Sequence, residues 1–162
     1  MDEADRILAN REDLYRFLGR LYRSEVDAPL WEAIRKMSFP DSTGNASLDQ
    51  GYGLMRKYLA APGDDPLTDL AVDYARIFLA AGIYEGDAAF PIESVYTSKD
   101  HLVMQEAWEK VAKAYGEKGV AKKDKDLPED HLGLELEFMA RLVAEERAAR
   151  AKAGGAAAKK AS

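Results

Sequence analysis

Apolar residues recur at spacings of three and four in segment after segment of this chain, and no segment alternates apolar with polar in the manner of a strand. Ile7, Leu8, Leu14, Leu18, Leu21 and Tyr22 share one face of a helix over residues 4–23. A short helix follows at 30–37 (LWEAIRKM) and stops at SFPD. Leu48, Tyr52, Met55, Tyr58 and Leu59 mark a third helix, broken by APGDDP at 61–66. Leu70, Tyr74, Ile77, Phe78 and Ala81 form the next stripe, with Gly82 as a helix stop. Residues 83–97 (IYEGDAAFPIESVYT) have no helical period and read as an ordered, extended loop. Ser98 is placed to cap a further helix carrying Leu102, Trp108, Val111, Ala112 and Tyr115.

The last helix runs from about Pro128 to about Ala151. Leu132, Leu136, Met139 and Val143 form its stripe, which Leu134 and Phe138 broaden. Beyond Val143 there is no large apolar side chain, so the segment from Ala144 builds no core and frays into an Ala/Lys/Gly tail at 151–162. The expectation is an all-α protein of five to six helices in an irregular or orthogonal bundle, with one domain over 1–150 and a low-complexity tail over 151–162.

Composition narrows the chemistry. With 162 residues, 47% apolar, the chain can bury a core. It has no cysteine, which removes disulfides, thiolate metal sites and cysteine nucleophiles. The N-terminus MDEADRILANRED lacks the basic start and apolar middle of a secretory leader, and no apolar run reaches membrane-span length, so a cytoplasmic address without membrane insertion is expected. The formal charge is −6, but three lysines and no acids fall in 151–162, leaving −9 on the preceding residues. Such a body disfavours nucleic acid and suits a cationic partner.

Only two histidines are present, and each follows an aspartate: KDHL around His101 and EDHL around His131. Neither has a glutamate three residues before it, and His-x-x-x-His is absent, so a diiron bundle or zinc helix is not indicated. The Asp130–His131 pair lacks a partner nucleophile, and no glycine-rich phosphate loop is present. The residues therefore indicate no metal, no cofactor and no catalysis. Three readings of the pair stay open: helix cap and satisfied histidine, a small metal-binding or catalytic bundle, or a protein-interaction module.

Three blocks in order, YARIFLAAG at 74–82, FPIESVYTS at 90–98 and LPEDHLGLELEFMARL at 127–142, resemble the TorD/DmsD/NarJ-like family of redox-enzyme maturation chaperones. The last two follow that family's Pro-x-x-Ser-Val-Tyr and Asp-His-(Leu/Ile)-x-x-Glu-Leu-x-Phe-Met patterns nearly residue by residue. The resemblance spans roughly residues 5–145. It implies an all-helical cytoplasmic chaperone that is not an enzyme. Its partner would be the twin-arginine signal peptide, or a related terminal segment, of a molybdenum-cofactor oxidoreductase subunit, held until its cofactor is inserted.

The resemblance also places peptide-binding residues at Tyr74, Phe78, Pro91, Ser94, Val95, Tyr96, Asp130 and His131. Tyr74, Phe78, Val95 and Tyr96 would supply apolar surface, and Asp130, with Glu93 or Glu129 nearby, would meet an arginine at the groove's rim. Family members usually continue into further apolar helices, which this sequence lacks. A gap in the core, or a homodimer formed by exchanging helices, is the corresponding expectation.

Overall fold

The computed structural model describes residues 2–81, 88–123 and 125–160, with side chains described as far as residue 153. Among these residues the regular structure is entirely helical apart from one isolated bridge: α1 (Glu3–Arg23), α2 (Ala28–Ile34), α3 (Ala46–Ala60), α4 (Pro66–Phe78), α5 (Glu93–Thr97), α6 (Glu106–Glu117) and α7 (Leu132–Lys160). No described helix is long and apolar enough to cross a membrane. The chain divides into two compact units, one of residues 1–24 with 90–162 and one of residues 25–89.

In the first unit α1 and α7 run antiparallel. The start of α7 lies against the end of α1, where Gly19 and Gly133 bring the two backbones together, and Arg147 of α7 reaches back to Asp5 at 3.0 Å and Glu12 at 2.9 Å. Arg23 and Glu137 pair at 2.7 Å between the same helices. Leu8, Leu134, Ala140 and Val143 are buried here, together with Ala107 and Tyr115 of α6. Burial of this apolar surface is the main stabilising term, at about 25 cal/mol per Å². Asp2 caps α1 by accepting the Asp5 N–H at 2.7 Å, and Arg20 closes its far end by donating to the Ser24 carbonyl and hydroxyl.

The second unit holds α2 to α4, each started by a side chain of the residue before it. Asp27 accepts from Leu30 N–H, Asn45 from Ser47 and Leu48 N–H, and Asp65 from Thr68 N–H. Pro66 opens α4, where its missing N–H costs nothing. Aromatic pairs tie the unit together: Trp31 with Tyr58 at 6.2 Å, and Phe39 with Tyr52 at 5.7 Å. Both are tilted or edge-on, the arrangement the ring quadrupoles favour.

Three local expectations need correction. The segment read as an extended loop contains the one-and-a-bit turns of α5, because its first N–H groups find acceptors elsewhere in the chain. Ser98 does not cap a helix: α6 begins at Glu106, and the Ser98 hydroxyl instead accepts from Leu102 N–H at 3.2 Å in the intervening turn. His101 and Met104 both adopt positive φ there, which a continuous helix forbids. α7 extends to Lys160, past the fraying point near Ala151; alanine and lysine are strong helix formers, and α7 tolerates Gly154 and Gly155. The Gly82 stop lies outside the described residues, and α4 itself ends at Phe78.

Candidate functional site

Six of the eight candidate residues fall in two segments of the first unit that are joined side by side. Ile92 and His131 form an antiparallel bridge. Glu93 N–H donates to the Asp130 carbonyl at 2.9 Å, and Leu132 N–H donates to the Pro91 carbonyl at 2.8 Å. The proline loop and the Asp-His segment are thus one backbone unit, although separated by all of α6.

Asp130 and His131 each start a helix, and for Asp130 it is not the one that adjacency suggests. A carboxylate placed just before α7 looks like that helix's cap. In the structure the Asp130 carboxylate turns to α5, where Oδ2 accepts the Ser94 N–H at 2.9 Å and also the Ser94 hydroxyl. α5 has no cap of its own, since Ile92 precedes it. Asp130 therefore satisfies two of its orphan N–H groups, Glu93 with its carbonyl and Ser94 with its carboxylate. The cap of α7 is His131. Its carbonyl accepts from Leu134 and Glu135 N–H, and its ring Nδ1 accepts Gly133 N–H at 3.1 Å. Accepting at Nδ1 puts the ring proton of the neutral imidazole on Nε2.

This geometry corrects one expectation. Asp130 is 0% exposed and His131 4% exposed, so neither stands at the rim of a groove. A carboxylate with two buried donors to satisfy is held inside by them. Ser94, also 0% exposed, hands the connection on, since its hydroxyl accepts Gln105 N–H at 3.1 Å at the start of α6. Pro91 is buried, Val95 half-buried, and Tyr96 is 60% exposed. The Val95 carbonyl lies 2.8 Å from His101 Nδ1. Tyr74 and Phe78 belong to the second unit, where they pack on each other along α4 with ring centroids 5.1 Å apart.

Two groups of acids flank the joined segments. Glu129 accepts from Trp108 Nε1 and pairs with Lys122 at 3.2 Å. Burial works against its charge, but those donors outweigh it and hold the carboxyl below its ordinary range. The Glu129 carbonyl accepts from the Tyr115 hydroxyl at 3.2 Å, and burial pushes that phenol far up, so it stays neutral. Glu135 is the opposite case. Burial first, then the charge of Glu93 and a hydrogen bond with it, then Asp130, raise its carboxyl to about 7. Asp130 Oδ1 and Glu135 Oε1 are buried without a hydrogen-bond donor among the described residues. Glu93 itself is exposed. Spacing alone did not single out Glu135, because its role depends on α5 lying against α7.

Beside the joined segments lies a cavity of about 290 Å³. Its apolar walls are Ile92, Val103, Met104, Leu127 and Pro128, and Asp126 and Glu129 stand at its edge with Lys122 and Lys125. Val103 is 48% and Met104 57% exposed. The turn that replaces the expected first part of α6 presents both side chains to solvent. No group of three or more His, Asp or Glu among the described residues is arranged to hold a metal ion.

The described residues form an all-helical fold, and the family match places the chain in the redox-enzyme maturation class. The family model described as nitrate reductase delta subunit matches residues 45–162, and the chain belongs to that family, one of the TorD/DmsD/NarJ-like maturation chaperones that serve molybdoenzyme assembly. The structure is also similar to the crystal structure of a redox enzyme maturation protein from Archaeoglobus fulgidus. The TM-score is 0.51 and the identity 23%, with 81% of this chain and 70% of that chain covered. At that identity the likeness speaks for the fold. None of the curated proteins matches the sequence.

Proposed function

We propose that this chain is a cytoplasmic chaperone that binds the twin-arginine signal peptide, or a related terminal segment, of a molybdoenzyme catalytic subunit and holds it until cofactor insertion. The observation that carries this reading is the joining of Pro91–Ser94 to Asp130–Leu132 beside an apolar cavity edged by Asp126 and Glu129 with Lys122 and Lys125. A leader segment of this kind has a cationic start and an apolar middle. Its apolar part would bury Val103 and Met104, and burial of that kind drives peptide association before ordering costs are counted. Its arginines would meet Glu93 and the acids behind it. Glu93 is exposed, and a guanidinium would supply both charge and directed N–H groups to its carboxylate. Asp130 and His131 then act by positioning α5 and α7 rather than by touching the peptide.

Calorimetric titration with a twin-arginine signal peptide, and with the same peptide carrying glutamines for the two arginines, tests the reading. Binding that weakens with the glutamine peptide supports it. Absence of heat with every such peptide overturns it.

A further inference from the structure

A second cavity of about 340 Å³ opens in the same unit and has the opposite electrostatic character. Arg23 from the end of α1, Lys122 and Lys123 from the connection before α7, and Arg141 from α7 surround it, against a single acid, Glu137. Four cations to one acid is unusual on a chain whose formal charge is −6. Its floor is apolar: Leu134 and Tyr115 are buried, and the Tyr115 and Phe138 rings lie 4.7 Å apart.

We infer that this cleft is a docking site for an acidic protein segment carrying an apolar or aromatic anchor residue. Charge complementarity selects the sign of the partner, and the floor selects an anchor rather than a bare anion. The volume lies at the low end for ligand sites, enough for one large side chain with acidic neighbours on the rim. Lys122 is committed to Glu129, but the other three cations are available at small cost. Arg23 and Arg141 are held by partly exposed pairs, to Glu137 at 2.7 Å and Glu145 at 2.9 Å, and such pairs exchange readily with an incoming carboxylate. Lys123 is exposed and makes no ion pair among the described residues. The site does not rest on the signal-peptide reading, because it shares only Lys122 with that cavity and takes a partner of the other sign.

The test uses the whole chain and fluorescence anisotropy of a short labelled peptide with one phenylalanine between glutamates. Charge reversal at the two exposed cations (K123E with R141E) should weaken binding about tenfold or more, and the same peptide with serine for phenylalanine should bind comparably weakly. A twin-arginine peptide should not displace the acidic one. Circular dichroism establishes that the reversed protein is folded; if it is not, K123A with R141A is read instead. Three results overturn the inference: no binding, equal binding by the variant, or affinity indifferent to the phenylalanine. Preference for anionic phosphatidylserine vesicles over the peptide also overturns it, in favour of a membrane surface.

Discussion

Ser94 and Asp130, 36 residues apart in sequence, share one carboxylate oxygen, which accepts both the backbone N–H and the hydroxyl of the serine with neither residue exposed. A helix start on one segment thus depends on a side chain from another. Replacing Asp130 with alanine strands two buried donors, and each stranded group costs about 1–3 kcal/mol. The expected loss for Asp130→Ala is about 3 kcal/mol by urea denaturation. Asp130→Asn, which keeps an acceptor, should lose about 1 kcal/mol, and Ser94→Ala should couple with Asp130→Ala in a double-mutant cycle. Additive losses would mean that the pair is not the working unit.

Glu135 makes stability fall as pH rises. Its carboxyl is raised from 4.5 to about 7, so across that interval the folded chain keeps a proton that the unfolded chain releases. The contribution is full below 4.5 and is lost as pH rises through about 7. Glu135→Gln should therefore melt higher than the parent at pH 8 or so and show a flatter profile across this window. Glu93→Gln should lower the Glu135 titration toward the ordinary range, as followed by carboxyl NMR, because it removes the neighbouring charge. An unchanged titration in that variant would sink the assignment.

Close backbone approach makes Gly133 intolerant of a side chain. A β-carbon there would sit 3.0 Å from the Gly19 carbonyl oxygen and 3.1 Å from Arg23 N, both backbone atoms that cannot swing away. Alanine gains about 1 kcal/mol of helix propensity over glycine, whereas overpacking costs about 1–3 kcal/mol, so Gly133→Ala should be a net loss and Gly133→Val a larger one. Gly51 in α3 is the control. Nothing lies within 4 Å of a β-carbon there, and Gly51→Ala should raise the thermal midpoint.

Val103 and Met104 separate peptide capture from stability. Both are substantially exposed in the turn before α6, so Met104→Asp should leave the unfolding free energy, measured in urea, within about 0.5 kcal/mol of the parent. On the proposed reading it should nonetheless weaken signal-peptide binding about tenfold, since it puts a charge into the apolar wall. Unaltered peptide affinity would remove this cavity from the binding surface.

The helical class was readable because stripes such as Leu132, Leu136, Met139 and Val143 repeat with the helix period, and local spacing is the whole of that signal. Capping residues such as Asp2, Asn45 and Asp65 act on their own helices within three residues, so they too are local. The two motif blocks, around Pro91 and around Asp130, were also legible as strings of residues. Their sense was not. Asp130 lies next to α7 in sequence yet serves α5, and the choice depends on where the proline loop lies in space. The short helix at Glu93–Thr97 was hidden for the same reason, because its first N–H groups find their acceptor on Asp130.

Sequence alone determined the helical class, the absence of cysteine chemistry and the acidic body, since these follow from composition and from side chains within one or two turns of each other. Tertiary structure alone decided that Asp130 is interior, that Glu135 holds a proton near neutrality beside Glu93, and that four cations gather around Tyr115 and Phe138 in an otherwise acidic protein. Burial and charge–charge energies depend on distance through space, and only the packing of α1, α5, α6 and the start of α7 sets those distances.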